Sequence, residues 1–311
     1  MAFYGWPVSQ CQSLSTPLAI QLRAGIRVLD VRLAIIKSRL IAYHGIYPQR
    51  ASFQEILATV HTFLTDPETA RETIVMSIKQ EDFAKNSYID FSRLVQDEIA
   101  KGPGGRKMWF LKNKVPSLGE VRGKVVMFSR FGGNGEGWDD ALEGLGIHPL
   151  VWPDSAKSGF SWHCKKTLVR THDWYDIPSF LAIPEKVALA TRILLPAPNN
   201  LPGPTLSISF LSAASFPFAF PPTIAGGVGW PKVGLGVEGV NSRVTHWLLT
   251  LLGRRSFNSA MSIEEKILAD EPCIRGWVLM DFFTDPEAGL VPLLIECNFR
   301  GRQSGEEGWH C

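Results

Sequence analysis

The stretch from Gly25 to Leu33 reads Gly-Ile-Arg-Val-Leu-Asp-Val-Arg-Leu, and its alternation of apolar and charged residues predicts a β-strand. Asp30 and Arg32 then share one face of the strand, because successive side chains point to opposite faces. The next apolar run, Leu40–Tyr43, leads directly into His44. An acid, a guanidinium and an imidazole on neighbouring segments are groups that can cleave a phosphodiester without a metal ion.

Further apolar runs of strand length alternate with segments of helix length. We predict strands at Arg27–Leu33, Leu40–Tyr43, Thr73–Lys79, Lys124–Ser129, Thr205–Leu211, Gly276–Phe283 and Leu290–Ile295. We predict helices at Phe53–Leu64, Phe91–Lys101 with Asp90 as its cap, Pro178–Leu195 and Val240–Leu252. Such alternation favours parallel strands, and eight β/α units take about 250 residues. The 311 residues therefore predict an α/β fold, a TIM-type (β/α) barrel, as a single domain over residues 1–311.

The charge, the cysteines and the apolar segments of the sequence indicate which partners and which compartment to expect. A formal net charge of +2, with lysine and arginine scattered along the chain, argues against a nucleic-acid surface. Five widely spaced cysteines argue against a disulfide framework and against a paired metal knuckle, so we assign no metal. No signal peptide or continuous membrane-spanning segment is visible, which favours a cytoplasmic or peripheral membrane location if the start at Met1 is real.

Polar residues end several of the predicted strands, where a barrel places its catalytic groups. Lys79 follows the run Ile74–Ile78, Arg130 follows Val125–Ser129, and Asp281 follows Trp277–Met280. Taken singly, each charged residue more often forms an ion pair at a sheet rim, and a lone histidine more often ends a strand with a hydrogen bond. Taken together they indicate an anionic substrate and acid-base chemistry.

Three motifs resemble the X domain of phosphatidylinositol-specific phospholipase C, most closely the bacterial type and its fungal relatives. They are the residues 25–32, the tripeptide Tyr43-His44-Gly45 and the residues 72–79. Weaker likeness continues in the same order through residues 123–126, 173–175 and 275–281. The resemblance implies a phosphoric diester hydrolase or lyase in which the inositol 2-hydroxyl attacks phosphorus, giving a cyclic inositol phosphate and diacylglycerol.

The resemblance also implies a role for each matching residue. His44 would be the general acid, Arg32 would hold the phosphate, and Asp30 would position Arg32 or a hydroxyl. The residues implied to bind the inositol ring are Lys79, Arg130 and Asp173 for its hydroxyls and Tyr175 for its face. Asp281 would orient the general base.

Arg32 separates two versions of the mechanism. Calcium-dependent relatives place a carboxylate ligand where this strand has a guanidinium, so we predict no calcium requirement and no other cofactor. Glycerophosphodiester phosphodiesterases are the nearest barrel alternative, but their His-Arg-Gly motif and metal carboxylates are not found in this sequence. We expect a phospholipid or inositol-phosphate substrate. Among the aromatic residues between Phe210 and Trp230 we expect most to be buried in the helical layer of the barrel, and exposed ones to be available for transient contact with a membrane surface.

The sequence departs from the family at the general base. That histidine belongs to a Gly-Thr-His-Asp-Ser/Thr motif at the end of the first strand, and this sequence begins past the matching position. The dipeptide His172-Asp173 lacks the preceding glycine, so we interpret His172 as a bystander. We expect a truncated N-terminus, a barrel without its first strand, and activity lowered by roughly 10²- to 10⁴-fold. A binding pseudoenzyme and an incomplete fragment are the alternatives.

Overall fold

A computed structural model describes residues 9–196, 203–229, 236–253, 274–286 and 289–299. The chain divides into two compact units. The N-terminal unit comprises Met1–Pro153 and Trp162–Leu168, and the C-terminal unit comprises Asp154–Ser161 and Val169–Cys311. Each unit has its own hydrophobic core.

The N-terminal unit is built on a six-stranded sheet. In chain order its elements are α1 (Leu18–Arg23), β1 (Val28–Ile36), β2 (Arg39–His44), β3 (Tyr47–Ser52), α2 (Phe53–Thr65), β4 (Thr73–Gln80), α3 (Tyr88–Lys101), β5 (Trp109–Phe110) and β6 (Lys124–Arg130). The strand order is β3-β2-β1-β4-β6-β5. Strands β1, β4, β6 and β5 are parallel, as predicted, whereas β1, β2 and β3 form an antiparallel meander.

The two faces of this sheet differ in chemistry. Aliphatic side chains of β1, β4 and β6 are buried in the same cluster as apolar residues of α2 and α3, such as Leu57 and Phe91. The side chains of alternating residues lie on the opposite face, which carries Asp30, Arg32 and Lys79. The alternation in the sequence of β1 therefore separates a hydrophobic core face from a charged face.

Serine caps fix where both long helices of this unit begin. Helix α2 starts after Ser52, which forms a capping box with Glu55. Helix α3 starts after Ser87, whose hydroxyl accepts a hydrogen bond from the Asp90 amide at 3.1 Å. Our assignment of Asp90 as the cap was therefore wrong, because Ser87 caps the helix three residues earlier and Asp90 belongs to its first turn.

The C-terminal unit contains a four-stranded sheet of order β12-β9-β8-β7, in which β9 and β12 are parallel. Its elements are β7 (Ala156–Cys164) and β8 (Thr167–Asp173), both shared with the N-terminal unit, then α4 (Ile183–Arg192), β9 (Thr205–Phe210), α5 (Pro221–Gly226), β10 (Gly227–Val228), β11 (Val237–Glu238), α6 (Val240–Gly253), β12 (Trp277–Leu279) and α7 (Leu290–Glu296). Residues Ile183, Val244 and Leu290 of three of these helices belong to one buried cluster.

One predicted strand was wrong. Leu290–Ile295 forms helix α7 instead, because a short apolar run does not by itself distinguish a buried strand from a buried helix. The predicted helix Pro178–Leu195 is shorter, running from Ile183 to Arg192 after a 3₁₀ turn. Among the described residues, no helix has the length and apolar character that would take it across a bilayer.

Candidate active site

Three cations of the N-terminal unit lie side by side across three parallel strands. Arg32 of β1 is paired in register with Lys79 of β4, and Lys79 is paired with Arg130 of β6. Because the strands are parallel and in register, all three side chains project from the same face near the carboxyl ends of their strands. We call these three residues the cation row. Its members were all predicted from the sequence.

Asp30 lies two residues before Arg32 on β1, on the same face of the sheet, and its carboxylate balances part of the charge of the cation row. Its carboxylate accepts hydrogen bonds from Arg32 Nε at 2.9 Å and from Ser77 Oγ at 3.1 Å, and Arg130 lies 3.6 Å away. Burial alone would raise the pKa of Asp30, but the charges of Arg32 and Arg130 hold it far below its usual range. Asp30 therefore stays ionised and keeps Arg32 in place.

Glu81, which we did not select from the sequence, is the second acid of this site. Its carboxylate lies 3.3 Å from Arg32 and 3.6 Å from Lys79, and it accepts a hydrogen bond from the Gly45 amide at 3.2 Å. The alternation of Lys79 and Glu81 at the end of β4 was the available signal. Although burial opposes it, the charges of Asp30 and Glu81 raise the pKa of Arg32, which remains a fixed cation.

His44 lies at the end of β2, next to the turn that Glu81 holds. Its Nδ1 is 3.0 Å from the Ser9 carbonyl oxygen and 3.3 Å from Cys11 Sγ. A carbonyl only accepts, so Nδ1 carries a hydrogen and Nε2 is left to exchange a proton. Burial and the nearby charge of Arg32 lower the pKa of His44 to about 4. Ser9 and Cys11 are two further contacts that the sequence did not reveal.

The outer members of the cation row are held differently. Burial, followed by the charge of Arg32, lowers the pKa of Lys79. The guanidinium of Arg130 lies 4.1 Å from the ring centroid of Trp152, within the range of a cation–π contact, and its side chain is only 6% exposed. Trp152 was not predicted, since it lies in a loop between strands.

The C-terminal unit contains the other three predicted site residues. Asp173 ends β8 and is buried, Tyr175 follows two residues later and is 41% exposed, and Asp281 lies just beyond β12. The Tyr175 hydroxyl donates a hydrogen bond to Asp154. Burial and that hydrogen bond raise the pKa of Tyr175 to about 12. His172, the expected bystander, is buried, and burial with the charge of Lys186 lowers its pKa to about 4.

The structure thus brings together five of the eight predicted site residues, Asp30, Arg32, His44, Lys79 and Arg130, within the N-terminal unit. Asp173, Tyr175 and Asp281 belong to the C-terminal unit. Within the described ranges, no group of three or more histidine, cysteine, aspartate or glutamate side chains is arranged to hold a metal ion. The absence of a calcium requirement stays a prediction.

The aromatic residues expected at a lipid surface have different environments. Phe210 is buried, Phe220 is half-buried, and Phe216 and Phe218 are 66% and 63% exposed. Trp230 lies outside the described residues. The exposed pair belongs to a loop whose Phe218 carbonyl accepts a hydrogen bond from the Phe180 amide at 3.1 Å, next to the exposed Leu181.

Known proteins are similar to this chain in sequence and in fold. Residues 8–131 match the family model of the phosphatidylinositol-specific phospholipase C X domain. The 1-phosphatidylinositol phosphodiesterase of Listeria monocytogenes is 34% identical over 128 residues, 40% of this chain and 37% of that protein. The enzyme of the same name from Staphylococcus aureus strain Newman is 26% identical over 208 residues, 64% of this chain and 62% of that protein. The alignments thus span less than two thirds of these relatives.

Two solved structures show the same fold. A phosphatidylinositol-specific phospholipase C of S. aureus, from work on modulation of its membrane binding, superimposes with a TM-score of 0.66 and 18% identity, covering 94% of this chain and 85% of that one. The Listeria monocytogenes enzyme gives a TM-score of 0.55 and 23% identity, with the same coverages. The predicted barrel-type α/β fold is confirmed, although the described strands hydrogen-bond into separate sheets. Residues 8–131 of this chain are thus similar in sequence to the phosphatidylinositol-specific phospholipase C X domains.

Proposed function

We propose that this protein is a phosphoric diester hydrolase or lyase that cleaves a phosphoinositide by metal-independent acid-base catalysis. The observation that carries the proposal is the cation row beside His44. Arg32, Lys79 and Arg130 lie in one register line, and Asp30 and Glu81 are ion-paired with them. Three cations on one face of the sheet favour the binding of a phosphodiester anion.

In the proposed reaction, the inositol 2-hydroxyl oxygen forms a bond to phosphorus while the bond from phosphorus to the glycerol oxygen breaks, and the proton of the attacking hydroxyl passes to solvent water. Arg32 binds the non-bridging phosphate oxygens, and its fixed charge stabilises the charge that develops there. Asp30 and Glu81 hold the guanidinium from two sides. Arg32 takes the place of a metal ion, so the reaction needs no calcium.

His44 donates the proton to the departing glycerol oxygen through Nε2. Burial, followed by the charge of Arg32, lowers the pKa of His44, and a bound phosphate offsets the Arg32 part of this effect. In the C-terminal unit we assign Asp173 and Tyr175 to the inositol ring and Asp281 to orienting a general base.

The experiment is release of water-soluble inositol phosphate from phosphatidylinositol vesicles. We expect release by the wild-type chain, unchanged by EDTA, and a loss of roughly 10²- to 10⁴-fold in His44→Ala. His61→Ala is the matched control, since His61 lies on α2. Full activity in His44→Ala, or abolition of activity by EDTA, would contradict the proposed mechanism.

A second candidate function is binding of inositol phosphates with little turnover. The observation that favours it concerns the other described histidines of the N-terminal unit. His148 makes hydrogen bonds through both ring nitrogens to Ser129 and Gly133, His61 lies on α2, and His163 is exposed on β7. None of these three makes a described contact with Arg32. Saturable headgroup binding without release of product would favour this candidate.

Contact with a lipid surface is the third part of the proposal. Phe216, Phe218 and Leu181 are exposed apolar side chains of the C-terminal unit, and aromatic side chains enter the interfacial region of bilayers readily. We expect Phe216→Ser with Phe218→Ser to weaken vesicle binding while leaving hydrolysis of a soluble inositol phosphodiester unchanged. Vesicle sedimentation measures the first effect. Equal sedimentation of both proteins would contradict this part.

A further inference from the structure

Lys186 of α4 is the most deeply buried charged side chain in the C-terminal unit's described core, with 0% of its surface exposed. Its Nζ donates a hydrogen bond of 2.6 Å to the Trp174 carbonyl oxygen. A fully buried lysine is rare and costly, because an ammonium loses its hydration unless other groups replace it. Neither the fold nor the proposed reaction accounts for Lys186 so far.

The position of that carbonyl gives Lys186 its significance. Trp174 lies between Asp173 and Tyr175, the two residues that we assign to the inositol ring. Asp173 is itself buried, with 4% of its surface exposed. Burial lowers the pKa of Lys186 to about 7, and the negative charges of Asp173 and Asp281 act in the opposite direction. Lys186 therefore lies near both carboxylates as well as bonding the backbone between two site residues.

Other hydrogen bonds hold the rest of the segment from Asp173 to Asp176. The Ala214 amide donates to the Tyr175 carbonyl at 2.8 Å, and the Asp176 amide donates to Ser155 Oγ at 2.8 Å. Lys186 of α4 adds a hydrogen bond to the Trp174 carbonyl oxygen, near the start of this segment. Among the described residues, the charged or titratable groups that act on this region include Asp173 and His172 of β8, Asp281 beyond β12 and Arg192 of α4. Asp154 and Asp176 act on Tyr175, and Lys157 of β7 lies 4.8 Å from the Trp174 ring.

We propose that Lys186 is a positioning residue for inositol recognition: by holding the Trp174 carbonyl, and by placing a positive charge near Asp173 and Asp281, it fixes Asp173 and Tyr175 in the geometry that binds the inositol ring. This inference rests on the proposed function. It differs from a purely structural role because it predicts a change in substrate binding rather than in the chemical step.

The test compares Lys186→Met and Lys186→Gln with wild type on a soluble inositol phosphodiester. Lys186→Met removes both charge and hydrogen bond, and we expect KM to rise roughly 10-fold with kcat changed less than KM. Lys186→Gln keeps an N–H donor without the charge, and we expect a smaller rise. The matched control is Lys157→Met, because Lys157 lies 4.8 Å from the Trp174 ring and pairs with Glu185 at the surface.

The wild-type protein supplies a measurement that needs no variant. As the pH rises through about 7, Lys186 loses its charge, so we expect KM to increase across this range. Stability changes in the opposite sense. The unfolded chain holds its lysine proton up to about 10.5, so it binds more protons than the folded chain between about 7 and 10.5, and unfolding free energy rises with pH there. Urea titrations of wild type should show this slope, and Lys186→Met should lack it.

The outcomes separate the inference from the function on which it rests. An active wild type whose KM is flat from pH 6 to 9, or a folded Lys186→Met with unchanged KM, would overturn the positioning role and leave the function standing. A fall in kcat alone would also overturn it. A wild type that neither binds nor cleaves inositol phosphates would overturn both. If both variants fail to fold, the pH dependence of KM in wild type decides.

Discussion

The two units stabilise buried charge in different ways. In the N-terminal unit Arg32 lies within 3.3 Å of both Asp30 and Glu81, and opposite charges alternate through Lys79 and Arg130. In the C-terminal unit one ammonium, on Lys186, meets a neutral carbonyl oxygen at 2.6 Å. Although burial opposes it, the charges of Asp30 and Glu81 raise the pKa of Arg32, whereas burial lowers the pKa of Lys186 to about 7. Arg32 therefore supplies a fixed positive charge, and Lys186 supplies one that depends on pH.

Removal of Arg32 is the strongest way to break this comparison. We expect Arg32→Ala to lower kcat/KM by roughly 10³-fold, because it removes the phosphate ligand and leaves Asp30 and Glu81 facing each other's charge. Arg27→Ala is the control from the same apolar run, Gly25 to Leu33. Arg27 forms an ion pair with Glu72 at 3.0 Å and does not belong to the cation row. Equal losses in the two variants would show that the effect is structural.

Removal of the Glu81 charge is expected to have the next largest effect on kcat/KM. We expect Glu81→Gln to lower kcat/KM by roughly 10- to 100-fold, because the amide no longer balances Arg32 and Lys79 and only partly replaces the contact with the Gly45 amide. Glu72→Gln serves as the control. Steady-state rates on a soluble diester measure the effect, and a change below two-fold would remove Glu81 from the site.

Histidine titration sharpens the comparison at acidic pH, because each unit holds one histidine with a pKa of about 4, His44 and His172. A lowered histidine pKa contributes stability above about pH 6.5 that is lost as the pH falls toward about 4. We expect the unfolding free energy to fall across this window and His44→Gln with His172→Gln to flatten the fall. The low pKa of Asp30 acts only below pH 3.8. An unchanged slope in the double variant would refute both assignments.

Cys11 provides the smallest expected effect. Its thiol lies 3.3 Å from His44 Nδ1, but the Ser9 carbonyl at 3.0 Å already fixes that nitrogen. We expect Cys11→Ala to change kcat/KM by about two- to five-fold and to move the acidic limb of the pH–rate profile. Cys164→Ala is the control, since Cys164 contacts Asn113 instead. A loss as large as that of His44→Ala would make the thiol a catalytic group.

The sequence predicted those parts of the site that strand periodicity controls. Alternation along β1 and β4 separates core residues from Asp30, Arg32 and Lys79, and parallel register then aligns the cations. Glu81 was recognised as a polar residue beside Lys79 but given no role, and Trp152 was missed, because their roles depend on how a strand end and a loop fold back. Strands β3, β7 and β8 were missed because their residues are too polar for an apolar-run search. Asp173 was found through family resemblance alone.

The register that aligns the cation row also determines when it can exist during folding. Arg32, Lys79 and Arg130 come from three strands far apart in the chain, so the row requires the long-range pairing of β1 with β4 and of β4 with β6. A chain that has formed only the local meander of β1, β2 and β3 holds one of the three cations. Local contacts form early and long-range strand pairing later. An anion that requires all three cations would therefore bind the native unit and not partly folded states, and would stabilise the native unit against unfolding.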